Sequence, residues 1–548
     1  MTSFIQDTLS KIPGVDPRVL QRNQAFSGLN DGPAATAAVS PPIPDSGHAL
    51  NIGGIPYQGD TLLLEKQQAF DRGKIQERIV HPCVQRVIPL ARFGYFQVTK
   101  DVSQWTKAAL FQPGKKTPAY TRFSTVTYGW REFPDSARNP RGFATKFYTE
   151  EGNYDLVGLN WPVFFVRDPF MGPDNIRSQQ RNPKSGLIDY NAWFDFLANV
   201  PESQHAGLML LSDHATPVGW RFMSGYGCHT FRWTNKDRKG VFVKYHWRSQ
   251  QGTKEFTHEQ SIVMCGEDPD FAKRDLWQHI EQGGDARWTM FVQVITPEDL
   301  ASGKLDFDPF DVTKVWPRNK FPMHEETLAD VEEKDYHRDV EQAAFSPGSL
   351  VPGIELSPDT LLQWRAFFYR DAQYHRLGSA NIHQIPVNCP FMARFHSPDN
   401  YAGNMRIDGN VASKPTYFPN SYHNNKPTTA GAPGSYLRPR RFQCRKSERV
   451  QPGSGAYTRV LTPQKREELH SNTARLLKHA DGIVQKNYLI QLHAIEPGYA
   501  KAIYDLLPEH SGYTLEEIAE GAKSAHLVGK NPQFFSAGKG ASFMGMPL

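Results

Sequence analysis

"GVFVKYHWRSQQGT", residues 240–253, alternates well enough to be a half-buried antiparallel strand, and the Gly-containing turn that ends it makes it one arm of a hairpin. Similar short β-branched and aromatic runs recur between about 75 and 320: "GYFQVT" (94–99), "AYTRFSTVTY" (119–128), "GFATKFYT" (142–149), "WPVFFV" (161–166) and "WTMFVQVIT" (288–296). Turn-forming stretches such as "NKDRKG" (235–240) separate them. Helical patterns interrupt them at 187–200 and 268–283. The whole reads as an antiparallel β-barrel with inserted helices, an α+β chain.

On either side of the barrel the pattern changes. Residues 1–55 are rich in Ala, Pro, Gly and Ser and read as an extended arm that orders against another subunit. Residues 320–440 hold many prolines and one clear helix at 357–373, begun by Ser357 and Pro358. Long irregular segments of this kind carry function or bridge subunits. After about 460 the chain turns helical: Thr462 caps, Pro463 starts a helix, a second pattern covers 483–494, and a third follows Pro497.

Composition removes several classes of function. With 548 residues and 39% hydrophobic content the chain can bury a large core, while a net charge of +5 gives no case for nucleic acid as a partner. No run of 18 apolar residues predicts a membrane span, and the first twenty residues lack the basic-then-apolar pattern of a secretory signal. Five cysteines without a CxxC pair argue against a zinc cage or a disulfide framework, hence for a reducing, intracellular setting, cytoplasmic or peroxisomal. The C-terminal "MPL" is a poor peroxisomal tripeptide.

The helix at 357–373 carries the chemistry. Leu361, Arg365 and Tyr369 are spaced by four and share a face; Arg376, seven further on, falls on that face if the helix continues. On spacing alone this is an ordinary amphipathic helix with a snorkelling arginine. A guanidinium beside a buried phenol, however, favours the phenolate, and a phenolate is a ligand for haem iron.

The surrounding motifs decide between the two. "RAFFYRDAQYHRLG" (365–378) resembles the proximal haem helix of haem catalases, and "FDRGKIQERIVH" (70–81) resembles their segment ending in the distal histidine. "RFSTV" (122–126), "NPRGFATKFYTEEGNYDLVG" (139–158), "PVFFVRDP" (162–169), "DPFDVTKVWP" (308–317), "IPVNCP" (385–390) and "YFPNSY" (417–422) match the same family in order. The resemblance implies a catalase-like eight-stranded antiparallel barrel, a long wrapping loop, a C-terminal helical domain, buried haem b and a homodimer or homotetramer. The corresponding units are an arm at 1–55, a haem-binding barrel at 56–325, a wrapping segment with the proximal helix at 326–450, and a helical domain with its tail at 451–548. By position it implies Tyr369 as proximal ligand, Arg365 as its partner, His81 and Ser124 as distal catalytic groups, and Arg78, Arg122 and Arg376 on the haem propionates. Val80, Phe164 and Phe165 are implied as further haem contacts.

Four departures bear on function. The distal asparagine of the family falls on Leu159, with Asn160 as neighbour; a one-residue bulge would be needed to bring Asn160 into the pocket as a catalytic group. The distal phenylalanine falls on Gly172, leaving its space to Phe170 or Met171, or to a substrate. The link from His81 to "FGYF" is five residues longer than the family's. Finally, the family's NADPH pocket is altered: His205, Ser212, Tyr226 and Trp316 match, but His214, Ser224 and Arg248 replace the expected arginine, asparagine and lysine. A neutral imidazole suits a 2′-phosphate poorly, which argues against NADPH and for another molecule in that cleft. The expected activity is a catalase-like haem oxidase of secondary metabolism, with oxidative cyclisation and decarboxylation of prechanoclavine to chanoclavine as its reaction; the alternative is disproportionation of hydrogen peroxide.

Overall fold

The computed structural model describes residues 89–126, 134–302, 307–317, 323–332, 336–377, 385–390, 454–508 and 512–525, together with 51–52, 55–56 and single positions 305, 382 and 421. Apart from a two-residue pair, Asn51–Ile52 with Ile55–Pro56, the strands form one sheet and in chain order are β1 (Pro89–Gln97), β2 (Lys116–Thr125), β3 (Arg141–Thr149), β4 (Gly152–Leu159), β5 (Gly225–Tyr226), β6 (Phe231–Thr234), β7 (Gly240–Ser249), β8 (Trp288–Ile295), β9 (Met323–Glu332) and β10 (Ile354–Leu356). Eight of them close a ring, β1-β2-β3-β4-β5-β7-β8-β9 and back to β1, with every pairing antiparallel. β6 adds to β7 and β10 adds to β6 as a flange outside the ring.

The hairpin predicted after Arg248 does not form. β7 is instead the second arm of the hairpin that turns at 235–239, and its other neighbour is β8. Thr257 and Gln260 cap each other's backbone, so the chain leaves β7 into helices α3 (His258–Glu267) and α4 (Phe271–Glu281) before returning as β8. The stretch 323–332, read from sequence as irregular, is β9, the strand that closes the barrel.

Strand alternation sorts the wall into two faces. Ala119, Phe123, Phe143, Phe147, Tyr154 and Leu156 point inward and pack with Trp220, Trp247 and Trp288 into an aromatic core. Phe143 stacks on Trp247 at 5.9 Å and meets Trp288 edge-on at 5.6 Å. Among the described residues, aromatic rings fill the barrel interior. The intervening residues Tyr120, Ala144 and Tyr148 point outward, where Val157, Val340, Ala343 and Phe345 join them. Any large ligand must bind on that outer face.

Helix α5 (Thr360–Leu377) carries the predicted proximal residues. Its cap is Asp359, whose Oδ1 accepts from the backbone N–H of Leu361 and Leu362 at 3.1 Å each. Ser357, the predicted cap, accepts from Asp359 N at 3.1 Å and donates to the Thr230 carbonyl. A second core gathers α1 (Tyr190–Asn199) and α2 (Gln204–Leu211) with α6 (Pro463–Leu477), α7 (Gly482–Ile495), α8 (Pro497–Leu506) and α9 (Leu515–Ala522). Thr462 caps α6 as expected.

The ring depends on one tight junction. β4 and β5 pair only through Leu159 and Tyr226. A Cβ on Gly158 would lie 1.8 Å from the Tyr226 carbonyl oxygen, so only glycine lets the two backbones meet. Gly158→Ala is expected to cost about 4 kcal/mol or more, read as a fall in the denaturation midpoint at unchanged cofactor loading.

Candidate active site

The site is built where α5 crosses the outer face of β2–β4. Arg365 Nη2 donates to the Tyr369 hydroxyl oxygen at 2.8 Å and to the Val157 carbonyl on β4 at 3.2 Å. Its guanidinium carbon lies 4.7 Å from the Tyr369 ring centroid. One cation thus pins the helix to the barrel wall and serves the phenol oxygen. Behind it, Asp359 Oδ2 lies 2.7 Å from His229 Nδ1, both side chains fully buried. Burial, aided by the Arg365 charge, holds the His229 imidazole below its usual range and keeps it neutral. This His229–Asp359 pair escaped the sequence reading; an acidic residue just before the helical pattern was the one signal for it.

Arg122 and Arg376 converge from β2 and α5. Each donates to the Ala343 carbonyl at 2.7 Å, and Arg376 also reaches the Glu341 carbonyl. Burial, and then the Arg122 charge, push Arg376 down to about 9. A buried and a half-buried guanidinium on one carbonyl are a costly arrangement unless an anion joins them.

The other wall of the site is a row of cross-strand neighbours on one face: Ser124, Gly142, Leu159 and Tyr226. A Cβ on Gly142 would lie 2.3 Å from Ser124 Oγ, so the glycine makes the space that the hydroxyl fills. The register is continuous to Leu159, with no bulge. Asn160 faces away: its Oδ1 accepts from Arg141 N at 2.9 Å and its amide donates to the His214 carbonyl at 2.8 Å. The catalytic role expected of Asn160 is therefore corrected to a backbone bridge, and Leu159 presents a hydrocarbon to the pocket side.

Gly172 does not open room for a substrate either. The Trp364 ring lies over it, and a Cβ there would sit 3.1 Å from Trp364 Cη2. Met171 packs against the helical core instead. Phe164 packs between the cluster of Tyr226, Cys228, Leu361 and Trp364 and the helical core. Phe165, also expected at the haem, is 2% exposed in the helical core, because neighbours along an extended chain face opposite ways. Arg78, Val80 and His81 lie outside the described residues.

The seven cleft residues fall into three groups. Arg248 Nη1 donates to the Tyr226 hydroxyl at 2.7 Å, and Ser224 lies buried beside Tyr226 in sequence. Arg248 Nη2 is buried with no hydrogen-bond partner among the described residues. His205, Ser212 and His214 follow one another along α2 and its exit. The ring Nδ1 of His205 lies 3.2 Å from the Thr313 carbonyl, and burial drops its pKa to about 4. His214 is bonded to Glu255, which Lys465 also reaches at 3.3 Å. Trp316 is 2% exposed and donates to the Pro309 carbonyl, so it forms part of the wall.

The donor set fits a haem. It offers one phenolic oxygen with a cation behind it, two converging guanidiniums for two carboxylates, and an outer wall of small, polar and aliphatic residues. Tyr369→Phe is expected to abolish the Soret band of the purified protein, and Arg365→Leu to weaken haem retention while the far-UV spectrum stays unchanged. On the cleft side, burial pushes the Asp308 carboxyl up to about 6. A raised carboxyl favours the folded state when protonated, so its stability contribution is lost as pH rises from about 4 through 6. Asp308→Asn, which keeps the acceptor for Phe310 N, is expected to add about 1–2 kcal/mol at pH 7.5 and almost nothing at pH 4, measured by urea denaturation.

The profile of the catalase family matches residues 36–424. The chain is 40% identical over 486 residues to a peroxisomal catalase of Toxoplasma gondii, covering 86% of this chain and 94% of that protein. It is 39% identical over 512 residues to a catalase of Mus musculus, covering 92% and 94%. Among solved structures, a fungal catalase superposes with a TM-score of 0.70 at 34% identity, covering 78% of this chain and 86% of the other. Catalase A from Saccharomyces cerevisiae gives 0.69 at 36%, covering 76% and 88%. With the barrel, the Arg365–Tyr369 pair and these relatives in agreement, the chain belongs to the catalase family of haem-dependent oxidoreductases.

Proposed function

We propose that this catalase-family protein is a haem b oxidase of secondary metabolism that carries out oxidative ring closure and decarboxylation of a prenylated, N-methylated tryptophan, prechanoclavine, to give chanoclavine. The observation that carries the reading is Leu159. It stands in the row beside Ser124 and Gly142 where an asparagine would orient peroxide, and Asn160 is committed to Arg141 and His214. A pocket wall without that amide handles peroxide poorly, while the proximal machinery is intact.

Haem held by Tyr369 would supply oxygen activation, the substrate, which is oxidised on ring closure and decarboxylation, being the reductant that turns dioxygen into a diffusible species such as superoxide or peroxide. The residues of the chain do the rest. Arg365 keeps the phenol oxygen supplied with a hydrogen bond, and Arg122 and Arg376 balance two propionates. In the adjoining cleft, the buried Nη2 of Arg248 would bind the amino-acid carboxylate of the substrate. His214 and its partner Glu255 place no strong positive charge for a 2′-phosphate, which supports a cleft without NADPH. The homodimer or homotetramer and the cytoplasmic or peroxisomal setting are part of this proposal.

Disproportionation of hydrogen peroxide is the second reading. The relatives are named catalases, and the Arg365–Tyr369 pair is what that reaction also needs. Aerobic incubation of the purified protein with prechanoclavine, without NADPH, is expected to give chanoclavine by mass detection and weak oxygen release from peroxide. Vigorous oxygen release with no organic product would replace the first reading by the second. Leu159→Asn, restoring one oriented hydrogen bond, is expected to raise the rate of peroxide disproportionation roughly tenfold.

A further inference from the structure

Between the haem ligand and the cleft runs a line of aromatic side chains. Phe368 meets the Tyr369 ring edge-on at 5.3 Å, and Trp364 stacks on Phe368 at 4.8 Å with planes 10° apart. Trp364 is 8% exposed and shares one buried cluster with Tyr226. Tyr226 in turn accepts from Arg248, at the edge of the cleft. The indole ring rests against the bare backbone of Gly172, where a Cβ would sit 3.1 Å from its Cη2, tighter than ordinary van der Waals contact. Its Nε1–H is buried with no hydrogen-bond partner among the described residues.

An indole is among the most easily oxidised side chains, and phenylalanine is not oxidised under the same conditions. Of the rings on this line, Trp364 is therefore the first beyond the ligand that can give up an electron. We propose that Trp364 is a redox-active residue, the one-electron relay between the Tyr369 side of α5 and the cleft at Tyr226 and Arg248. The inference rests on the reading that haem is held by Tyr369.

The balance is as follows. Reduction of one hydrogen peroxide to two waters takes two electrons and two protons. One electron comes from the bound haem and one from the indole of Trp364; the protons come from solvent. Among the described residues no acceptor faces Nε1, so the indole keeps its proton and becomes a cation radical. A cation in an apolar cluster is poorly solvated, which makes the state short-lived. An electron-rich phenol or indole bound in the cleft refills it by giving up one electron, and a second electron from such a donor, passed through Trp364, would return the haem to its resting state.

The test is electron paramagnetic resonance on haem-loaded protein frozen soon after mixing with peroxide, prepared once with ordinary tryptophan and once with ring-deuterated tryptophan. The expected result is an organic radical whose hyperfine pattern narrows on deuteration. The chain has eleven tryptophans, so Trp364→Phe makes the assignment: the signal is expected to vanish while the Soret band and haem content are unchanged. A haem-loaded protein whose radical ignores the label, or which shows none, overturns the relay, and so does a tryptophan signal that persists in Trp364→Phe. If that variant loses haem, ring-deuterated tryptophan in Trp364→Tyr, which keeps a ring over Gly172, decides: a tryptophan signal that persists there overturns the relay. A colourless unaltered protein overturns the haem reading together with the relay, and the Soret band tells the two failures apart.

Discussion

Everything at this site hangs from the hydrogen bond between Arg365 and Tyr369. Four-residue spacing brings the two side chains together, but spacing alone would leave a long arginine free to choose other partners. The Val157 carbonyl removes that freedom by holding the same nitrogen against β4. Asp359 fixes the start of α5 and also holds His229 behind the guanidinium. The helix is therefore located by its cap, by its cation and by a buried imidazole, and the phenol oxygen is presented to the barrel wall as a consequence. Such over-determination is what a ligand-holding side chain needs.

The outer face of the barrel is the natural counterpart of this helix. Inward residues have already filled the interior with aromatic rings, so the polar and small outward residues are what a cofactor meets. Arg122 and Ser124 sit two apart on β2, and Gly142 and Leu159 continue the row of Ser124 on β3 and β4. Period-two alternation thus assembles the wall from residues that are far apart in sequence.

Much of this was legible before any coordinates. The strands announced themselves by alternation, the C-terminal helices by Thr462 and Pro463, and the proximal pair by spacing and motif. Less legible was whatever depends on partners distant in the chain. β9 reads as irregular because its apolar pattern is weak; its place is set by the two edges it joins. His229 and Asp359 are separated by 130 residues, and no local pattern pairs them. Phe165 was assigned to the haem with Phe164, although adjacent residues on extended backbone cannot both face one ligand.

The Leu159 and Gly172 positions show how a pocket changes without losing its frame. At Leu159 the register is undisturbed, so the change removes a hydrogen-bonding group and leaves the wall in place. At Gly172 a missing side chain would leave a cavity that costs stability, yet the Trp364 ring covers the glycine from the opposite element. The space beside Gly172, which opens the short helix Gly172–Ser178, is taken instead by a ring on α5. That exchange replaces a hydrocarbon ring with an indole beside the ligand helix, and it joins the pocket to Tyr226 through one continuous cluster. Loss of an orienting amide and gain of an oxidisable ring act in the same direction. Both shift the balance away from holding a small peroxide and toward passing electrons to a neighbouring cleft.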